Sequence, residues 1–164
     1  MNIRIVIFIA MLAVLIGIPT YMYFDSVLSG GIKVRADGVY EVDLKAMSSF
    51  PFSNENGTLN DVPKQWRELD GKKVVLVGEM WNPEAAGQYV QDFSLVYSIQ
   101  KCCFSGPPQI QHFVQSTTPD RRPLPYYSGP VRVLGTLRVN VVKDEELGKV
   151  TSVYQLEVEK LERA

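Results

Sequence analysis

The chain is poor in the side chains on which most enzyme and metal sites are built. It has two cysteines, Cys102 and Cys103, and one histidine, His112. A Ser–His–Asp triad would have to use that single histidine, and no nucleophile–base signature surrounds it. Phosphate-binding glycine loops and the zinc-protease motif H-E-x-x-H are also missing. The sequence therefore favours a protein that is not an enzyme.

An excess of charge of one sign is missing as well. The 17 basic and 18 acidic side chains leave a net charge of −1. A nucleic-acid-binding domain normally carries a basic excess on one face. We therefore expect no nucleic-acid partner, and little electrostatic steering of any charged ligand.

Charge is absent altogether from residues 5–24. This uncharged run predicts a helix. At a rise of about 1.5 Å per residue, the helix would span roughly 30 Å, the thickness of a bilayer core. Arg4 precedes the run and Asp25 follows it, which predicts a cytoplasmic N-terminus and an extracytoplasmic, periplasmic domain on a single-pass cell-membrane protein. A cleaved signal peptide is the alternative, but its apolar region is about 7–15 residues and ends at a small-x-small site. The longer run favours an uncleaved signal-anchor.

The chain is predicted to have three parts: a membrane anchor at 1–25, a linker at 26–61, and a domain at 62–164. The linker includes an extended segment over Ile32–Met47, followed by a loop. At the start of the domain, Asp61–Leu69 predicts one short helical turn with Asp61 as its cap. Trp66 and Leu69 would share one side of that turn.

Five strands are predicted in the domain, at Lys72–Trp81, Tyr89–Ser98, Ile110–Gln115, Val131–Val142 and Val150–Leu161. Gly78 and Gly135 lie in the middle of the first and fourth of these, where glycine often marks a bulge or a sharp bend. The fold class is therefore all-β, a small OB-like five-stranded Greek-key barrel with an extra N-terminal strand, preceded by one transmembrane helix. A two-sheet sandwich is the alternative, which periodicity does not separate from the barrel.

An ordered set of short motifs runs through this domain. In chain order they are Leu69–Lys72, Val77–Gly78, Phe93–Val96, a cysteine, Pro107–Pro108, Gln111, Val114, Val131–Val139 and Tyr154–Leu161. This set resembles the bacterial domain of unknown function 3299 family of exported OB-like proteins, over about Val62–Leu161. The family pattern has a Cys-x-His before its proline run. In this chain Phe104 or Ser105 stands in place of that histidine, so the resemblance implies no role that needs it.

The vicinal cysteines allow three interpretations. A disulfide between Cys102 and Cys103 would be strained, because adjacent Cα atoms are about 3.8 Å apart and disulfides usually span about 4.4–6.8 Å. A soft metal, copper or zinc, could instead take both thiolates with His112 as the third ligand and Asp92 as a possible fourth. Finally, the pair can be structural, since free cysteine behaves as a small buried hydrophobe.

The proline-rich loop Pro119–Pro130 is either a solvated crossover, as most surface loops are, or a partner-binding site. Its candidates are Arg121, Arg122, Tyr126 and Tyr127, because arginine and tyrosine are enriched at interface hot spots. The two tyrosines and the tryptophans at positions 66 and 81 could also form an exposed aromatic surface, although most aromatic side chains in a domain of this size belong to the core.

The predicted function is a membrane-anchored extracytoplasmic OB-like binding or accessory module in an envelope or transporter complex. Its partners would be the membrane, through residues 5–24, and another envelope protein. The alternative is a metal-handling or thiol-redox protein that uses Cys102, Cys103 and His112.

Overall fold

A computed structural model describes residues 11–20, 30–83, 89–100, 109–144, 146 and 148–164. The chain divides into two compact units, Met1–Gly31 and Ile32–Ala164. In the first unit, residues 11–20 are helical (α1) and their side chains are exposed. Within the described ranges, none of the helices combines the length and the hydropathy that crossing a membrane requires. The predicted anchor at 5–24 lies partly outside these ranges and stays a prediction.

The second unit consists mainly of strands, with short helices between them. Its strands are β1 Ile32–Val34, β2 Tyr40–Val42, β3 Lys73–Trp81, β4 Tyr89–Val90, β5 Asp92–Val96, β6 Val114–Thr117, β7 Leu124–Pro125, β8 Pro130–Lys143 and β9 Val150–Arg163. Its helices are α2 Leu44–Ser48 and α3 Lys64–Arg67, with 3-10 turns at Leu59–Asp61 and Ile110–His112. The domain is therefore all-β.

Five of these strands pair in a closed ring. β3 pairs antiparallel with β5, β5 antiparallel with β6, β6 parallel with β9, and β9 antiparallel with β8. The ring closes because β8 also pairs antiparallel with β3, from Lys73 opposite Thr136 to Glu79 opposite Pro130. β1 and β2 form an antiparallel pair that extends the sheet, with β2 parallel to β3. β4 and β7 form a separate two-stranded sheet.

The core lies inside this ring, where alternate residues of each strand point inward. Leu76, Leu95, Leu137 and Tyr154 are among its fully buried side chains. The Tyr154 hydroxyl donates a hydrogen bond of 3.2 Å to the carbonyl oxygen of Met47. Burial raises the pKa of this tyrosine above its usual range, so the hydroxyl remains a donor at any ordinary pH. The bond ties helix α2 to the ring.

Two strand glycines allow neighbouring strands to approach closely. A Cβ atom at Gly78 would lie 2.5 Å from the Val96 carbonyl oxygen and 2.8 Å from a methyl carbon of Leu44. A Cβ atom at Gly135 would collide with the carbonyl oxygen of Glu157. The β8–β9 register also shifts between Leu134 and Gly135, as a bulge does. The bulge predicted at Gly135 therefore agrees with the register shift, whereas the β3–β8 register is continuous through Gly78.

The segment before β3 differs from its prediction. Residues 44–48 form helix α2 rather than extended chain, because the Asp43 carboxylate accepts hydrogen bonds from the backbone N–H groups of Lys45 and Ala46, at 2.9 and 3.2 Å. Residues 32–61 also belong to the second compact unit, where Val42, Leu44 and Met47 are buried in the core. The predicted linker boundary at residue 61 is therefore not the boundary of the compact unit, which falls at Gly31.

Two predicted strands and one loop are also corrected. The strand predicted at Tyr89–Ser98 is interrupted at Gln91, so that β4 and β5 pair with different partners. The strand predicted at Ile110–Gln115 begins later, because Ile110–His112 form a 3-10 turn. The loop at 119–130 contains the short strand β7, whose Leu124 pairs with Val90.

Candidate functional site

One side of the ring carries a row of outward-facing polar and aromatic side chains. Trp81 on β3 is the register partner of Ser94 on β5, and Ser94 is the partner of Gln115 on β6. Their sequence neighbours Met80, Leu95 and Val114 are buried, so alternation places the row on the outer face. Thr117, two positions further along β6, is exposed on the same face.

The row ends in an aromatic pair. The rings of Trp81 and Phe113 lie 5.4 Å apart between centroids, at an interplanar angle of 52°. Beside them is a cavity of about 350 Å³. Its lining is Asn54, Trp81, Ser94, Ile110, Phe113, Gln115, Lys149 and Val150. This end of the row therefore combines an aromatic platform with aliphatic side chains.

The other end of the row opens into a larger and more polar cavity of about 730 Å³. Its lining is Trp81, Asn82, Pro83, Tyr89, Val90, Gln91, Asp92, Phe93, Ser94, Gln115, Ser116 and Thr117. The Asn82 amide donates a hydrogen bond of 2.8 Å to the Asp92 carbonyl oxygen, which ties the chain after β3 to the start of β5. We call the two cavities together the β5–β6 groove, because they share Trp81, Ser94 and Gln115.

The described lining of the β5–β6 groove carries little charge. Among the described residues that line it, the charged ones are Asp92 and Lys149, one of each sign. The remaining polar groups are amides and hydroxyls, which both donate and accept hydrogen bonds.

A further cavity of about 430 Å³ continues from Asp92 and Thr117 towards Arg121 and Glu157. Arg121 has a positive φ of 49°, in the left-handed region.

The outer face of β8 and β9 has the opposite character. Lys73 pairs with Glu159 and Lys160 with Glu162, each at 2.8 Å. The hydrogen bond and the positive charge of Lys160, together with the charge of Arg132, hold the pKa of Glu162 below its usual value against a small effect of burial. A cavity of about 310 Å³ on this face is lined mainly by charged side chains.

His112 lies in the 3-10 turn before β6. Burial lowers the pKa of its imidazole below 6.5. Its Nδ1 atom is buried without a hydrogen-bond partner among the described residues, and its ring meets Tyr97 edge to face at 6.3 Å. Cys102 and Cys103 lie outside the described residues. Within the described part of the chain, no three histidine, cysteine, aspartate or glutamate side chains converge to hold a metal.

The predicted partner-binding residues separate into two kinds. Tyr126 donates its hydroxyl to the Met80 carbonyl oxygen at 3.0 Å, and the Tyr127 ring lies 5.0 Å from the guanidinium of Arg163. Both tyrosines are only partly exposed and hold the loop against the ring of strands. Arg121 and Arg122 are exposed.

The two tryptophans also differ from each other. Trp66 is 2% exposed and belongs to the core, so its predicted place on an exposed surface is wrong. Trp81 lies in the groove. Asp92, named from the sequence only as a possible metal ligand, also lines the groove. The polar residues Ser94, Gln115 and Thr117 were not singled out, because they become neighbours only through the strand register.

The fold and this surface define a small all-β domain with an uncharged groove on one side of a ring of strands. No family model and no curated protein matches the chain. Its structure is similar to the crystal structure of a DUF3299 family protein from Pseudomonas aeruginosa PAO1, with 21% identity over 72% of this chain and 76% of that chain, at a TM-score of 0.45. That protein belongs to the family that the sequence of this chain resembles. A domain of unknown function names no activity, so the likeness assigns none.

Proposed function

We propose that the protein is a membrane-anchored, extracytoplasmic binding module of the OB type and an accessory of an envelope complex. The strand pairing supports the OB assignment. An OB-fold is a five-stranded Greek-key barrel, and here five strands close in the order β3-β5-β6-β9-β8. The uncharged run at residues 5–24, between Arg4 and Asp25, supports the anchor and its orientation.

The single observation that supports a binding role is the position of the groove. β5 and β6 are the second and third strands of the ring, and OB-folds bind their ligands on that face and with the loops beside it. The groove lies there, with Asn82 and Pro83 after β3 at one side and Lys149 before β9 at the other. Its amides, hydroxyls and aromatic rings are groups that fix and orient a ligand.

The second contact of the module is with another envelope protein, which we assign to the exposed Arg121 and Arg122. Their guanidinium groups are rigid forks that bind carboxylates in two-point contacts. Tyr126 and Tyr127, which follow β7, hold the loop against the ring of strands through Met80 and Arg163. The side chains of the two arginines are therefore not needed to hold it. Replacing both by glutamine should weaken co-purification of the partner and leave the fold intact.

Photo-crosslinking in living cells tests the binding role of the groove. A benzophenone amino acid at position 115, in the groove, should give a discrete adduct with an envelope component. The same group at position 132, which lines the charged cavity on β8, is the matched control and should not. Equal adducts from both positions, or none from position 115, would contradict the proposed role.

The alternative role, metal handling or thiol redox through Cys102, Cys103 and His112, has one observation in its favour. The Nδ1 atom of His112 is buried and lacks a partner among the described residues, as an unoccupied ligand atom would be. Native mass spectrometry with and without reductant, combined with metal analysis, tests it. Two free thiols and no bound metal in protein recovered from the envelope would rule it out.

A further inference from the structure

We infer that the ligand of the β5–β6 groove is a neutral, hydroxyl-rich oligosaccharide. This inference rests on the proposed binding role of the groove. It specifies the chemical class of the ligand from three properties of the surface: its charge, the pairing of its strands, and the arrangement of its polar and aromatic groups.

The charge of the groove excludes polyanions. Single-stranded nucleic acids bind in positively charged grooves that follow the phosphate backbone, with aromatic rings for the bases. The described lining offers one cation, Lys149, and one anion, Asp92. The described lining therefore combines aromatic rings with a single basic group, so a phosphate backbone would lose its hydration and gain little in return. A neutral ligand matches a neutral surface.

The pairing of the strands excludes an extended peptide that adds to the sheet. Strand addition needs an open edge with unpaired backbone N–H and C=O groups. β5 pairs with β3 on one side and β6 on the other, and β6 pairs with β5 and β9. The floor of the groove is therefore the face of a fully paired sheet. Recognition there depends on side chains.

The polar side chains on this face suit hydroxyl groups. Gln115 and Thr117 lie two positions apart on β6, about 7 Å at 3.4 Å per residue, and Ser94 lies opposite Gln115 on the next strand. The Gln115 amide donates to the Thr151 carbonyl oxygen at 3.1 Å, which fixes its orientation. Amides and hydroxyls both donate and accept, as sugar hydroxyls do, so each contact can be satisfied without a charge.

The aromatic pair provides a platform for the apolar side of a sugar ring. Trp81 and Phe113 meet in a tilted contact at the end of the polar row, and Ile110 and Val150 line the same cavity. The electron-rich face of an aromatic ring attracts the slightly positive C–H edge groups of a sugar, and tryptophan offers the largest such face. A ligand with alternating C–H and O–H surfaces uses both halves of the groove at once.

Tryptophan fluorescence of the full-length protein in detergent micelles tests the inference. The chain has two tryptophans, and Trp66 is buried, so a change on titration reports mainly on Trp81. The probes are tetra-N-acetylchitotetraose and cellotetraose, with octathymidylate and a neutral Ser/Gln octapeptide as comparators. We expect a saturable change with a saccharide and none with the comparators. Gln115→Ala should weaken binding about tenfold, as should Trp81→Ala measured by calorimetry, whereas Arg132→Ala should not.

The possible outcomes separate the ligand class from the binding role. If the nucleotide or the peptide gives a saturable fluorescence change and the saccharides give none, the oligosaccharide inference is overturned and the groove remains a binding site. Saccharide binding that survives both groove substitutions would also overturn it, because the ligand would then lie elsewhere. The inference is also overturned if none of the probes changes the tryptophan fluorescence. The proposed binding role itself fails only if the photo-crosslinking also fails, with no adduct from position 115 or equal adducts from positions 115 and 132.

Discussion

The two sides of the ring of strands have outer faces of opposite chemistry. On β8 and β9, the longest strands, the outer face carries ion pairs such as Lys73–Glu159 and Lys160–Glu162. On β5 and β6, which are short, the outer face carries Ser94, Gln115 and Thr117 beside an aromatic pair. Both faces cover the same core. The packing of that core therefore does not require the two outer faces to differ in charge.

The comparison separates a charged, solvated face from the face that we propose for ligand binding. Exposed ion pairs contribute little to stability, but they keep a long pair of strands soluble and discourage association with other sheets. An outer face without charges loses that protection. On the β5–β6 face, cavities and partly exposed aromatic rings are found where the ion pairs are absent. This pattern is expected where a ligand covers the surface.

The largest effect on the charged side is expected from Gly135→Ala. A methyl group there would collide with the Glu157 carbonyl oxygen and force β8 away from β9. We expect a loss of about 3 kcal/mol in the free energy of unfolding, the upper part of the range for overpacking. Gly38→Ala is the matched control: it has open space but a φ of 79°, and should cost about 1 kcal/mol. Urea unfolding measures both, and equal losses would contradict the close approach.

A transplanted charge should be the next largest effect. Gln115→Lys places an unpaired cation beneath a neutral ligand and should reduce saccharide affinity at least tenfold, because the ligand would have to desolvate it. The opposite exchange, Arg132→Gln on the charged side, should change affinity less than twofold. Calorimetric titration measures both. Comparable losses would show that the two faces do not differ in function.

The hydroxyl of Tyr154 is expected to stabilise the fold by a smaller amount. Tyr154→Phe removes the donor and leaves the buried Met47 carbonyl oxygen unpaired, which should cost about 1–2 kcal/mol. Tyr89→Phe, at a ring that is 66% exposed, should cost nothing measurable. If chemical denaturation finds both variants equal to the wild type, the bond between α2 and the ring does not contribute to stability.

A small pH effect is expected from His112. Because burial lowers its pKa below 6.5 in the folded state, the unfolded chain binds the proton more tightly. Its contribution to stability is therefore complete above pH 6.5 and decreases as pH falls from 6.5 to the lower folded pKa. Urea midpoints across this window should fall with pH in the wild type and stay flatter in His112→Gln. A midpoint that rises as pH falls would contradict the burial of the imidazole.

The smallest effect should come from the ion pairs of the charged side. Lys73 and Glu159 lie 2.8 Å apart, but their side chains are 58% and 38% exposed. Lys73→Gln should therefore change the free energy of unfolding by less than about 0.5 kcal/mol at moderate salt. A loss above 1 kcal/mol, seen in urea titrations and abolished by salt, would show that this face stabilises the fold more than its exposure indicates.

The sequence predicted what local periodicity encodes. It placed β3, β8 and β9 within a few residues, because these long strands alternate clearly, and it marked Gly78 and Gly135 as bends. It missed helix α2, although Asp43 is a good capping residue, because five residues are too few to show a helical period. The interruption at Gln91 could not be predicted, because β4 ends one residue before it and β5 begins one residue after it, so the sequence indicates a single extended segment.

Pairing between distant strands could not be predicted from periodicity. Ser94 and Gln115 become neighbours through the β5–β6 register, which depends on pairing between separate segments of the chain. The parallel pairing of β6 with β9 and the closure of β3 on β8 are equally distant in sequence. The groove could therefore not be predicted from the sequence. Two of its residues were named for other reasons, Trp81 because it is aromatic and Asp92 as a possible metal ligand.

Hydrogen-exchange mass spectrometry on both faces tests the central claim most directly. Exchange of the full-length protein is compared in native envelope membranes and after purification in detergent. We predict that peptides covering β5 and β6 lose protection on purification, as their ligand is removed, whereas peptides from the ends of β8 and β9 around Arg132 and Glu162 do not change. Loss of protection confined to the charged side, or an unchanged groove, would contradict the assignment of the β5–β6 face to binding.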